Sequence, residues 1–242
     1  MRTLNDLVGY KNLKIYQEED WFRFSLESIL LPNFVTINLR DQNIIDLCTG
    51  NAPIPLVLST RTKAKIYGIE IQEDIYKLGV DSVVYNKLED QITLINDDVN
   101  NLKKYFNTEY FDIITVNPPY FKYIESSMIN KNDQKTIARH EKSLTLNEIV
   151  KISRYLLKNN GRIAMVHRTE RLLEVLDTLK SNNLVPKKLQ FIYPNYDKES
   201  KLFMVEAIKN GKDGLKLLAP LYIHNDDGTY RDEILKVFNK YK

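Results

Sequence analysis

Four consecutive residues, Asn117-Pro118-Pro119-Tyr120, carry the most specific chemistry in the sequence. Adjacent prolines fix two φ angles at about −65° and remove two backbone donors. The Pro118 carbonyl is then held outward as an acceptor, and the Asn117 amide oxygen supplies a second one. Two acceptors converging on one point suit a planar NH₂ group with two hydrogens. Tyr120 offers a π-face on which a flat base or amide can stack. A turn alone accounts for the prolines, but not for the asparagine before them and the tyrosine after them.

Three acidic segments precede this tetrad. Asp46-Leu47-Cys48-Thr49-Gly50-Asn51-Ala52 reads as an acidic strand end running through a small-residue turn into a helix. That is the layout of a nucleotide-type pocket, in which Gly50 admits a close backbone approach. The stretch lacks the Gly-Lys-Ser/Thr of a phosphate loop and the third glycine of the dinucleotide fingerprint. An ordinary strand-to-helix turn reads the same way. Glu70 follows 24 residues after Asp46; its two oxygens can accept both hydroxyls of a ribose, or the residue can cap a helix. Asp97, with Asp98 beside it, can accept from the exocyclic amine of an adenine or form a plain turn. At neighbouring strand ends the three together favour a nucleoside.

A parallel sheet is what brings strand ends together, and the pattern predicts one. Strands are expected at 43–47, 65–70, 92–96, 111–116, 161–167, 188–193 and 203–209. Helices are expected at 55–61, 73–86, 145–157 and 171–179. A further helical stretch at 26–31 is stopped by Pro32, and a turn at Asp226-Asp227-Gly228 leads into a C-terminal appendage. Strands alternating with helices of this length imply an α/β fold with helices on both faces of a mainly parallel sheet. Ligands of such sheets sit at the carboxyl ends of the strands, where the four segments fall.

Composition narrows the class. Apolar residues make up 43% of 242 residues and charged residues 28%, which excludes global disorder. The longest uncharged run, Leu47 to Thr60, spans 14 residues and holds two prolines, too short and broken for a membrane span. The N-terminus is charged throughout and does not read as a signal peptide. A single cysteine, Cys48, excludes an internal disulfide and reads as a buried structural thiol, and three dispersed histidines show no metal-ligand spacing. A cytoplasmic, metal-independent protein is expected, of no assigned oligomeric state. Charge is divided unevenly: residues 1–121 hold 12 Lys and Arg against 17 Asp and Glu, and residues 122–242 hold 23 against 15. The net charges are −5 and +8, so the second half is suited to a polyanion.

Asp46…Gly50, Glu70, Asp97 and Asn117-Pro118-Pro119-Tyr120, in that order, resemble class I S-adenosylmethionine-dependent amino methyltransferases. That tetrad is shared by enzymes that methylate adenine amines in nucleic acids and by those that methylate glutamine side chains of proteins. Further segments are similar to the bacterial tRNA1(Val) (adenine-37) N6-methyltransferase family. These are Gln17 with Trp21 to Leu31, Ala138-Arg139-His140-Glu141, Val205-Glu206-Ala207, Gly211 to Leu215, and Pro220-Leu221-Tyr222-Ile223. Members usually carry glycine where this chain has Ala52.

The resemblance implies a Rossmann-like class I fold with a mainly parallel seven-stranded sheet. It implies one methyltransferase domain over 1–242, with a cofactor-capping segment (1–42), a cofactor-binding half (43–121) and a basic substrate-side half (122–242). Phe24, Asp46, Thr49, Gly50, Asn51, Ala52, Glu70, Ile71, Asp97, Asp98 and Asn117 would line the S-adenosylmethionine site. Glu70 would take the ribose and Asp97 the adenine amine. Asn117, Pro118, Pro119 and Tyr120 would hold the target amine. By their charge, the basic residues after the tetrad, Lys122, Lys131, Lys135, Arg139 and Lys142, are expected to form a phosphate-contacting lid for tRNA, with Lys187, Lys188, Lys198 and Lys201 extending the track. A protein glutamine methyltransferase is disfavoured by the basic second half, and a non-catalytic RNA-binding protein by the intact tetrad.

Overall fold

The computed structural model describes residues 2–18, 25–118 and 144–239. Eleven strands and six α-helices are formed among them. The chain opens with a hairpin, β1 (Arg2–Leu7) and β2 (Tyr10–Glu18), turned at Gly9. Helix α1 (Glu27–Phe34) leads to β3 (Asn43–Leu47), α2 (Pro53–Ser59), β4 (Lys65–Glu70), α3 (Glu73–Tyr85), β5 (Ile92–Asn96) and β6 (Phe111–Val116). After the segment outside the description come α4 (Leu146–Leu156), β7 (Leu157–Arg168), α5 (Leu172–Ser181), β8 (Leu184–Tyr193) and β9 (Leu202–Lys209). Two short strands, β10 (Lys216–Leu217) and β11 (Leu221–Tyr222), precede α6 (Asp232–Asn239).

Seven strands lie in the order β8-β9-β7-β6-β3-β4-β5 and form the mainly parallel sheet that the resemblance implies. Strands β3 to β7 pair in parallel, and β9 runs antiparallel between β7 and β8. β10 and β11 add to the outer edge of β8, so the full sheet counts nine strands. Alternation along each strand divides the core into two layers. Ile44, Ile66, Ile113, Ala164 and Met204 face the hairpin, α1 and α2. Ile45, Ile69, Ile114, Met165 and Val205 face α4 and α5.

Several expected boundaries shift, each for a local reason. Pro32 does not stop α1: the helix runs on to Phe34. Arg61 satisfies its end by donating to the carbonyls of Pro32 and Val35. Helix α2 begins at Pro53 rather than Pro55, with both prolines in the first turn, where the amides would lack intrahelical partners in any case. β7 begins at Leu157 rather than 161. Its register with β6 shifts between Phe111 and Ile113, with Asn160 left-handed at φ 61°, so a stretch that reads as a turn is a bulge. Helix α4 starts beside its capping box, Thr145 with Glu148.

The N-terminal hairpin is not foreseen in the sequence. Leu13, Ile15 and Gln17 of β2 are buried in alternation with charged and aromatic partners. Its edge is covered by α3: the Tyr16 amide donates to Ser82 Oγ at 2.9 Å, and the Lys14 amide to Asn86 Oδ1 at 3.0 Å.

Candidate active site

Because β3, β4, β5 and β6 are parallel, Leu47, Glu70, Asn96 and Val116 end on one edge of the sheet. Among the described residues, the predicted Asp46, Thr49, Gly50, Asn51, Ala52, Glu70, Ile71, Asp97, Asp98 and Asn117 gather there. The turn after β3 is sharply built: Cys48, Gly50 and Ala52 all take left-handed backbone, with φ of 57°, 58° and 71°. Gly50 adopts this freely. Ala52 carries a Cβ in a conformation that costs about 1–2 kcal/mol for an L-residue, which explains the value of glycine there. Gly79 of α3 packs closely here: a Cβ there would lie 2.9 Å from Leu94 Cδ1, while the Gly50 carbonyl oxygen would be in ordinary contact at 3.4 Å.

Asp46 lies wholly inside this turn. Its carboxylate accepts from Thr49 Oγ1 at 2.7 Å and from Thr115 Oγ1 at 2.6 Å. Burial pushes its pKa up to about 7, against the pull of the two hydroxyls. Asp46 and Thr49 therefore brace the turn from within. Asn51 is buried too, and its Nδ2 donates to the Tyr16 carbonyl at 2.8 Å, tying the hairpin to the turn. Cys48 is half-buried. Its thiol pKa is raised by burial and then by Glu70, Asp46 and Asp98, so it is a poor nucleophile.

Glu70 links the first two strand ends. Its Oε2 accepts from the Gly50 amide at 3.0 Å and its Oε1 from the Gln72 amide at 2.9 Å. The carboxylate is 6% exposed and keeps further lone pairs on each oxygen. Ile71, the next residue, is 45% exposed, an apolar surface at the mouth of the site. Asn96, to which sequence reading assigned no role, donates from Nδ2 to the Glu70 carbonyl at 2.8 Å and fixes the end of β4.

Asp97 is held by three donors. Oδ1 accepts from the Asp98 amide and from Asn101 Nδ2, each at 2.7 Å, and Oδ2 from Tyr105 Oη at 2.7 Å. The Asn101 and Tyr105 bonds keep its carboxyl below the ordinary range, so it is an oriented anion. Asp98 caps the short helical turn 99–104 by accepting from the Asn100 amide at 2.8 Å.

Asn117 follows β6 directly. Its Nδ2 donates to Ser28 Oγ at 3.2 Å, with Ser25 Oγ at 3.5 Å. The amide oxygen is necessarily on the opposite side of the group. Ser28, on α1, is buried, and Pro118 is buried beside Asn117. Ser25 and Ser28 fall within the N-terminal signature, the only sequence signal for their part in the site. Phe24, Pro119, Tyr120, Lys122, Lys131, Lys135, Arg139 and Lys142 lie outside the described residues.

Lys198 and Lys201 are exposed on the 194–201 segment joining β8 to β9, at the same edge of the sheet as Asn117. Lys188 does not extend this track. It is drawn inward to donate to the Phe34 carbonyl at 2.6 Å and to Thr36 Oγ1 at 2.9 Å, with Glu206 3.4 Å away. Lys187 donates to the carbonyls of Lys212 and Asp213 at 3.1 and 3.2 Å. Among the described residues no group of three His, Cys, Asp or Glu side chains is placed to hold a metal. None of their helices is long and apolar enough to cross a membrane.

A sheet with one antiparallel strand next to its edge, and acids at three adjacent parallel strand ends, is the architecture of the class I methyltransferases. Solved structures agree on the fold. The predicted O-methyltransferase Atu636 of Agrobacterium tumefaciens superposes with a TM-score of 0.70 at 17% identity, over 88% of this chain and 96% of that one. Pyrococcus horikoshii TYW2, solved with MeSAdo, gives 0.60 at 14% identity, over 87% and 72%. The profile of the N-6 DNA methylase family matches residues 36–178, and the chain belongs to that family. Among curated relatives, the tRNA1(Val) (adenine(37)-N6)-methyltransferase of Porphyromonas gingivalis strain W83 is 27% identical, over 96% of this chain and 93% of its own length. The protein of the same name from Parabacteroides distasonis is 25% identical, over 84% and 83%.

Proposed function

We propose that this protein methylates the exocyclic N6 amine of adenine in tRNA, at position 37 of tRNA1(Val), using S-adenosylmethionine. The observation that carries the reading is Asn117, set at the end of β6 with its Nδ2 engaged by Ser28 and Ser25, beside the acids of β4 and β5. Curated relatives spanning nearly the whole chain carry this activity in their names.

The residues present fit the cofactor. Glu70 offers two carboxylate oxygens to a ribose diol, Ile71 an apolar surface to a purine, and Asp97 an oriented anion to its amine. When bound, S-adenosylmethionine supplies an electrophilic methyl group on a sulfonium. Asp46, Thr49, Gly50 and Ala52 shape the turn against which it lies. Asn51 ties that turn to the capping hairpin.

Asn117 and the Pro118 carbonyl accept the two hydrogens of the target amine. An aromatic amine is a weak nucleophile because its lone pair is delocalised into the ring. Acceptors off the ring plane favour the pyramidal form and expose that lone pair. This is catalysis by position and electrostatics. No strong base is required, since the methylated amine loses its proton to water readily. Tyr120 stacks the base, and Lys122, Lys135, Arg139, Lys198 and Lys201 contact phosphates.

Incubation with tritiated methyl donor and total tRNA, followed by nucleoside mass spectrometry, tests the reading. Label should appear in N6-methyladenosine at one position next to an anticodon. Label in protein glutamine, with none in RNA, overturns it. Affinity for tRNA should fall as salt rises, through displaced counterions.

A further inference from the structure

The carboxyl edge carries a second group of side chains, on the far side of β7 from the cofactor turn. Tyr193 ends β8, and Tyr222 of β11 pairs beside it. Their ring centroids are 5.2 Å apart, and Tyr196 lies 4.2 Å from Tyr222. The Arg231 guanidinium sits 4.5 Å from the centre of the Tyr196 ring. His224 stacks on Tyr230 at 5.1 Å with the planes 24° apart.

The backbone under these rings is braced. The Ile223 amide donates to the Tyr193 carbonyl at 3.0 Å, and the His224 amide to the Pro194 carbonyl at 2.9 Å. The Thr169 amide donates to the Lys201 carbonyl at 3.1 Å, and Ser200 Oγ donates to the Ile192 and Leu202 carbonyls at 3.0 and 2.9 Å. Despite these contacts Tyr196 remains 59% exposed and Tyr230 41%. Only two other aromatic rings among the described residues, Tyr85 and Tyr105, stand out among the exposed large apolar side chains. Tyr196 therefore keeps more than half of its surface in water although Tyr222 lies against its ring and the Arg231 guanidinium lies over it.

Charge says what the surface is for. Lys198 and Lys201 are exposed here, but so are Asp197, Glu199, Asp226 and Asp227. Counting Arg231, three basic groups stand against four acidic ones, so beyond the phosphate contacts of Lys198 and Lys201 the patch has no surplus of positive charge to offer. Rigid rings in a neutral frame suit the faces of unstacked bases, which every base possesses. Strand β8 is three strand spacings from β6, and at about 4.8 Å each that is about 14 Å. Stacked nucleotides rise about 3.4 Å apiece, so roughly four of them span the gap.

We propose that Tyr196, with Arg231 and Tyr230 beside it, is a stacking platform for single-stranded bases of the RNA whose target adenine enters at Asn117. The proposal rests on the tRNA reading above and adds a base-contacting surface to it.

Equilibrium binding of unmodified tRNA to the full chain across a salt series tests it. Tyr196→Ala should weaken affinity about 5- to 100-fold at every salt concentration, without changing the salt slope. Tyr196→Phe should bind as the parent does. Lys198→Ala with Lys201→Ala should instead flatten the slope, by about 1 per lysine. S-adenosylmethionine affinity and melting temperature should be unchanged in all of them. Tyr196→Leu keeps an apolar cover over Tyr222 and replaces the alanine variant if that one melts early; it too should lose affinity. Parent-like RNA affinity in Tyr196→Ala or Tyr196→Leu overturns the platform. A parent protein that neither binds nor methylates tRNA overturns the reading beneath it instead.

Discussion

Glu70→Gln separates the turn contacts its carboxylate makes from the ribose contact proposed for it. The Gly50 and Gln72 amides approach different oxygens, at 3.0 and 2.9 Å. A carboxamide of the same shape has only one acceptor oxygen, so either the buried Gly50 N–H or the half-buried Gln72 N–H must face an NH₂ group. Leaving a buried donor unsatisfied costs about 1–3 kcal/mol. For a chain of this size that lowers the melting temperature by about 2–10 °C. A ribose diol likewise loses one of its two acceptors, in charge-assisted form, which is worth about 1.5–3 kcal/mol. The dissociation constant for S-adenosylmethionine should therefore rise by about 10- to 150-fold. Calorimetric titration with the methyl donor, alongside a thermal melt, reads both effects on one sample. A lower melting temperature with unchanged affinity would refute the ribose assignment, leaving Glu70 as a turn brace. An unchanged melting temperature would refute the hydrogen-bond reading of the turn itself.

Other predictions address neighbouring residues. Asn117→Ala should reduce turnover by about 10²–10³ through loss of an acceptor used in the transition state, with donor affinity unchanged in titration; unaltered turnover would remove the tetrad from the mechanism. Ser28→Ala removes one hydrogen bond worth about 0.5–1.5 kcal/mol, so kcat should fall about 2- to 12-fold at constant KM, and Ser28→Thr should restore it. Asp46 has a folded-state pKa of about 7, above its unfolded value, so its protonated form is favoured by folding. Its contribution to stability is fully present below about pH 4 and is lost as pH rises through 7. In parallel melts, the parent should lose stability relative to Asp46→Asn over that window, and a difference independent of pH would count against the burial argument. Ala52→Gly relieves left-handed strain of about 1–2 kcal/mol against a backbone entropy cost of roughly 0.5–1 kcal/mol, so the melting temperature should hold or rise by up to about 4 °C.

Much of the sheet was readable because its signals are local. Runs such as Asn43–Leu47 and Phe111–Val116 are apolar on both sides, as strands covered on both faces must be, and turns or helices bound them. Once they are parallel, topology alone puts Asp46, Glu70, Asp97 and Asn117 on one edge, so their gathering there was legible as well. The hairpin was not: the charges on its outer positions mask Leu13 and Ile15, and its burial exists only because α3 covers it. Nor was the course of α1 through Pro32, which depends on Arg61 reaching across from the end of α2.

Chemical identity and order along the chain were set by sequence: an Asn-Pro-Pro-Tyr tetrad after three acidic strand ends, with the basic residues following it. Tertiary structure decided how those groups are held. Asp46 and Asn51 turn inward to hold the turn and the hairpin, while Glu70 bridges two strand ends, Asp97 is oriented by three donors and Asn117 is tied to α1. It also added Ser28, 89 residues from Asn117 in the chain, and the ring group around Tyr196, assembled from β8, β11 and the segment after it. Residue type fixes what a side chain can donate or accept. Its partners depend on sheet register and helix docking, which are set by contacts between segments far apart in the chain and leave no local pattern to read.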